Sequence, residues 1–185
     1  MTARTDDEGG SGGQGWRIAL WGGAAALMLT PAVAARLSDQ MAWDSGDFIL
    51  VGAILLAGCG LGELVMRKTS SWAYRGGAAI AVAAAFLLFL AAGAVGIIGS
   101  EDEPANLLYL GVIALGLAGA VLARFRPRGM ARALAVTAGA HVLAGVIAIV
   151  LVPDVRGFLF ATGLFTPLWL LSAWLFAKAD RDEAA

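Results

Sequence analysis

The sequence predicts an all-α fold, a polytopic transmembrane bundle of six helices with short loops. Three observations predict it. Six apolar blocks of about twenty residues, the length of a membrane span, follow one another with little charge inside them. Hydrophobic residues make up 59% of the chain and charged residues 15%, whereas soluble domains average roughly 45–50% and about 25%. Lysine and arginine gather in alternate segments between the blocks. Helices satisfy their own backbone groups in lipid, and no block alternates as a barrel strand would.

The blocks run in order as follows. Residues 16–35 read WRIALWGGAAALMLTPAVAA, and residues 48–66 read FILVGAILLAGCGLGELVM. Residues 76–99, GGAAIAVAAAFLLFLAAGAVGIIG, and 105–123, ANLLYLGVIALGLAGAVLA, form the middle pair. Residues 131–152, ARALAVTAGAHVLAGVIAIVLV, and 157–177, GFLFATGLFTPLWLLSAWLFA, complete the set. Each is long enough to cross about 30 Å of hydrocarbon at roughly 1.5 Å per residue. The membrane domain is thus 16–177. The polar, glycine-rich residues 1–15 cannot bury enough apolar surface to fold and read as a flexible tail. Residues 178–185 read as a second tail.

Charge sets the orientation. Arg4, Arg17, Arg67, Lys68, Arg75, Arg124, Arg126, Arg128, Arg132, Lys178 and Arg181 lie before span one, between two and three, between four and five, or after six. The other three loops hold only Arg36 and Arg156. Positive charge stays on the cytoplasmic side, so both termini are expected there. The opposite loops carry Asp39, Asp44, Asp47, Glu101, Asp102, Glu103 and Asp154. Trp16, Trp43, Trp72, Tyr74 and Trp174 flank the spans as interface aromatics. One alternative stays open: Ala32-Val33-Ala34 resembles a signal-peptide cleavage site, although Asp6, Asp7 and Glu8 make the preceding tail acidic rather than basic. The chain also divides into three hairpins in series, each opening on a basic edge at Arg17, Arg75 or Arg132. Gly52 of span two aligns with Gly111 of span four.

Candidate chemistry is sparse. His141 lies near the middle of span five, where an ionisable group suggests a proton relay, a ligand contact or a haem ligand. The plainer account is a neutral imidazole bonded to a neighbouring helix. Glu63 sits one turn inside span two and suggests a cation or proton site, or else a carboxylate paired with Arg67 four residues on. Gly58, Gly62, Gly93, Gly96 and Gly116 mark close helix packing, within one chain or between chains. Pro31 and Pro167, each after a threonine, interrupt spans one and six, as in transporters with broken helices. Arg124, Arg126, Arg128 and Arg132 are expected to contact anionic lipid headgroups at the cytoplasmic face.

No metal site and no cofactor is expected. Cys59 and His141 are single, and zinc needs three or four protein ligands. A net charge of -1 points away from nucleic acid. No nucleophile elbow, phosphate loop or His-Glu-x-x-His helix is present, so the chain leans away from an enzyme. The runs WDSGDFILVGAILLAGCGLGEL, AVGIIGSEDEPANLLYLGV and ARFRPRGMARAL, spread over spans two to five, resemble a family of small multi-pass membrane proteins common in proteobacteria. That resemblance implies a bacterial inner-membrane location and assigns no catalytic or binding residue. The leading expectation is a non-enzymatic accessory or partner-binding component, either a homo-oligomer or one bound to another membrane protein. A small transporter or channel using His141 and Glu63 is the competing class, and a membrane haem or redox protein comes third.

Overall fold

The computed structural model describes residues 17–18, 21–26, 28–29, 33, 45–69, 71–97, 103–151 and 155–184. The described residues are helical apart from short connections, and none is in a strand. Helix α1 spans Ser45–Lys68, α2 Trp72–Leu90, α3 Leu107–Leu122, α4 Pro127–Leu151 and α5 Val155–Ala184. Five helices among the described residues are long and apolar enough to cross a membrane. The predicted first span is helical wherever it is described, and most of its Pro31–Ala35 end lies outside the described residues. So does Ala34 of the cleavage-like triplet, along with the 1–15 tail. The fold is that of an all-helical, multi-pass membrane protein.

Two compact units make up the chain, 1–68 and 69–185. In the first, a Cβ placed on Gly52 would meet the Met28 side chain at 3.5 Å, so Met28 packs against α1 there. In the second, α5 packs along both α4 and α2, while α4 also packs on α3, and α3 on α2. The four helices close a ring. The hairpins expected from sequence are therefore cross-linked: the α2–α5 and α3–α4 faces tie successive hairpins together.

The second unit buries small and polar residues beside a few large ones such as Phe165 and Phe176, and leaves many large apolar residues exposed. Ala84, Ala148, Ala161, Thr137 and Ser172 are fully buried, whereas Leu122 is 84% and Val150 79% exposed. Exposed faces of that kind are costly in water and neutral in lipid. Close approach follows from the missing side chains. A Cβ on Gly77 would stand 3.0 Å from the Phe176 ring, and one on Gly119 would stand 2.8 Å from the Ala133 methyl.

Helix ends are set locally. Ser71 caps α2 by accepting from the Tyr74 N–H at 3.3 Å, the usual role of a serine before a first turn. The far end of α2 widens into a π-helical turn, Ala91–Val95, stopped at Gly96 with φ 78°. Asn106, buried beside the Pro104–Asn106 3-10 turn, accepts the Ile97 N–H at 3.0 Å and pins this connection. Asn106→Ala leaves that buried N–H without its acceptor and is expected to cost about 1.5 kcal/mol. Thermal unfolding in detergent checks it.

The α3–α4 turn is tighter than its sequence suggests. Arg124 and Phe125 both take left-handed φ, 49° and 57°. The Phe125 N–H reaches the Ala120 carbonyl at 3.1 Å and the Arg124 N–H the Val121 carbonyl at 2.9 Å. This is the helix-terminating pair of bonds that glycine normally supports. Arg124→Gly removes the clash of a Cβ in that region and is expected to raise stability by roughly 0.5–1 kcal/mol, read as a higher unfolding midpoint.

One predicted tail is different in the structure. Helix α5 runs on through Ala184 rather than ending near residue 177. Lys178 pairs with Asp182 one turn later at 3.4 Å and lies 5.6 Å from the centre of the Trp72 ring. Such contacts extend a helix past the hydrocarbon without apolar residues.

Candidate functional site

The interior of the second unit is built on a seam along α4. Met130, Leu134, Thr137, His141, Ala144 and Ala148 are all buried, at alternating steps of four and three that keep one helix face inward. His141 is the ionisable member of that seam. Its ring lies between Tyr109 of α3, centroids 5.4 Å apart, and Phe165 of α5, 5.8 Å apart. None of its surface is exposed.

The tautomer follows from the contacts. His141 Nε2 stands 3.2 Å from the Ala161 carbonyl oxygen. A carbonyl only accepts, so Nε2 carries the proton and donates. In the neutral ring Nδ1 is then an acceptor, and it has no partner. The Tyr109 hydroxyl beside it also lacks a partner. A donor and an acceptor thus sit unsatisfied on neighbouring buried rings. The Thr162 and Thr166 hydroxyls and the Trp169 indole N–H, on α5 around Phe165, are likewise buried without hydrogen bonds.

Other interior polar groups join helices. The Ser172 hydroxyl donates to the Gly77 carbonyl at 2.6 Å, linking α5 to α2. Thr137 donates to the Ala133 carbonyl of its own helix at 2.9 Å, and a Cβ on Gly116 would stand 3.3 Å from its oxygen. Gly116 of α3 thus stands against Thr137 of α4. Gly93 is different: nothing stands within 4 Å of where its Cβ would be. Gly96 serves backbone conformation, through its positive φ. Gly58 and Gly62 lie half-buried on α1.

Glu63 belongs to the first unit. Its carboxylate accepts from the Arg17 guanidinium in an ion pair between residues 46 apart. The expected partner, Arg67, has a side chain outside the described residues. A carboxylate held by an arginine of a neighbouring segment has the geometry of a helix-joining pair. Pro167 lies on the exposed face of α5, not toward His141. Pro31 is outside the described residues.

Of the two His141 ring nitrogens that could ligate a haem iron, Nε2 donates to the Ala161 carbonyl. No group of three or more His, Cys, Asp or Glu residues that could hold a metal occurs among the described residues. Two shallow depressions open on the surface, one lined by Gly93, Glu103, Pro104 and Leu107, the other by Leu115, Gly119, Arg132 and Val136. Neither includes His141.

Most basic residues of the second unit lie toward one end, Arg156 being the exception. The Tyr74 hydroxyl donates to the Phe125 carbonyl at 2.6 Å, and the Tyr74 ring meets Phe176 edge-on at 4.8 Å. These contacts bring the start of α2, the α3–α4 turn and the end of α5 together. Arg124, Arg126, Arg128 and Arg132 are all exposed there.

Sequence reasoning found His141 by its depth but missed Tyr109 and Phe165. Thr137, one turn before His141, was within reach of that reasoning, because polar residues four apart share a helix face. Comparison of the chain with protein-family models, with curated proteins and with solved structures returns no match.

Proposed function

We propose that the chain is a non-enzymatic bacterial inner-membrane protein, an accessory component that binds another membrane protein or a second copy of itself. The observation that carries this reading is the use of the interior polar groups. Ser172, Tyr74, Asn106 and the Nε2 of His141 each hold one helix or turn to another, and the His141 side chain is fully buried. A transporter needs a polar site that opens to water. Chains whose polar residues serve packing are suited to assembly.

The orientation is part of the same proposal. Arg75, Arg124, Arg126, Arg128, Arg132, Lys178 and Arg181 mark the cytoplasmic end by the positive-inside rule, which places the C-terminus inside. A fluorescent protein fused after Ala185 is expected to glow, and an alkaline phosphatase fused there to be inactive. The reverse pair overturns the orientation.

The test of the function is assembly in the native membrane. A partner is expected to stay with the protein at constant stoichiometry through two purification steps, and its level should fall when this chain is deleted. A monomer with no such partner overturns the reading. So does flux of an ion or solute in vesicles that His141→Phe abolishes.

A further inference from the structure

We propose that the α3–α4 hairpin of the second unit seats one anionic phospholipid, with an acyl chain in the groove between the helices and the phosphate among Arg132, Arg128 and Arg126. This rests on membrane embedding and is independent of the accessory reading.

The groove arises from small residues. Gly119 lets the Ala133 methyl approach to what would be 2.8 Å from a Cβ, and Gly129 does the same for Ala123 at 2.6 Å. The helices close tightly at these two points. What remains is an open furrow of about 380 Å³ lined by Leu115, Gly119, Leu122, Ala133 and Val136, with Arg132 at its edge. Leu115 and Val136 are 43% and 60% exposed. The furrow runs along the helix axes from the basic end toward the membrane interior, the direction an acyl chain takes.

The charge is complementary to a lipid phosphate. No Asp or Glu occurs anywhere in residues 104–153. Arg124, Arg126, Arg128 and Arg132 are exposed, and none of them forms an ion pair among the described residues, whereas Lys178 is paired with Asp182. The furrow's basic end also coincides with the N-terminus of α4, where Pro127 opens the helix and the first-turn N–H groups of Arg128 and Gly129 favour an anion. A positive-inside loop needs positive charge only. Here Arg132 stands at the edge of an apolar furrow, with Arg126 and Arg128 close to it in sequence.

The experiment uses the full-length protein in neutral detergent, titrated with dioleoyl phosphatidylglycerol or dioleoyl phosphatidylcholine and read by native mass spectrometry. One phosphatidylglycerol is expected to be retained in preference to phosphatidylcholine. Arg132→Gln is expected to weaken retention about five-fold, the effect of one basic residue near a headgroup. Leu115→Trp fills the furrow and leaves every arginine in place; it is expected to weaken retention of phosphatidylglycerol at least as much. Val136→Trp serves the same purpose if Leu115→Trp fails to fold. Equal retention of the two lipids overturns the proposal. So does loss with Arg132→Gln but none with either tryptophan variant, which is surface charge alone. A dimer or a bound protein that Leu115→Trp disrupts, with lipid retention unchanged, assigns the furrow to a different occupant and also overturns it.

Discussion

His141→Ala is expected to lower the stability of the helix ring by about 3 kcal/mol, within the range for truncating a large buried side chain. The ring is fully buried and in contact with Tyr109, Phe165 and the Ala161 carbonyl. Removing it opens a cavity where three helices meet. The Ala161 carbonyl keeps its own helical bond, so the loss is one of packing more than of hydrogen bonding. His141→Phe separates the two. It keeps a slightly larger aromatic ring in the site and removes the unsatisfied Nδ1 along with the Nε2 bond, so a cost under about 1.5 kcal/mol is expected. Denaturant titration in mixed micelles measures both. A phenylalanine variant as unstable as the alanine variant would show that the Nε2 bond to the Ala161 carbonyl, rather than packing, holds the site together. A phenylalanine variant that folds but loses its partner would give the imidazole a role beyond packing.

The second large effect is expected at Gly129. A Cβ there would stand 2.6 Å from the Ala123 methyl, 3.1 Å from its Cα and 3.4 Å from its carbonyl oxygen. Two of these atoms are backbone and cannot swing away. Gly129→Ala must therefore displace the start of α4 from the end of α3, and with it the Phe125 carbonyl that receives the Tyr74 hydroxyl. A loss of about 2 kcal/mol is expected. Ala123→Gly removes the nearest of the three clashes. The double variant Gly129→Ala/Ala123→Gly should recover about 1 kcal/mol of that loss, a coupling typical of residues in contact. Simple additivity of the two changes would mean that the hairpin ends are held apart by something other than this contact.

The helices were legible in the sequence because length and apolarity alone define a span in lipid. The structural spans of α1, α3 and α4 contain nearly all of blocks two, four and five, and Pro104 and Pro127 mark the starts of the last two. The inward faces were not legible. In a soluble helix the apolar stripe marks the core, but Leu143 and Val146 are exposed here while Thr137 and His141 are buried. When both faces are apolar, hydrophobicity does not choose between them, and small or polar residues do. That is why His141 could be found and its neighbours Tyr109 and Phe165 could not. The α3–α4 turn was hidden for a different reason: Arg124 and Phe125 hold the left-handed positions without a glycine to mark them. The extension of α5 was hidden because Lys178 and Asp182 read as tail residues when taken singly and as a helical pair only when taken together.

The Ser172 hydroxyl meets the Gly77 carbonyl across 95 residues of chain. The strand of contacts that closes the ring is therefore the last to be translated. Helices α2 to α4 leave the ribosome first, and until α5 follows, the imidazole of His141 has no Ala161 carbonyl and no Phe165 ring beside it. A chain released before Val155–Ala184 is made lacks both the helix that closes the ring and the cover over one side of the His141 imidazole.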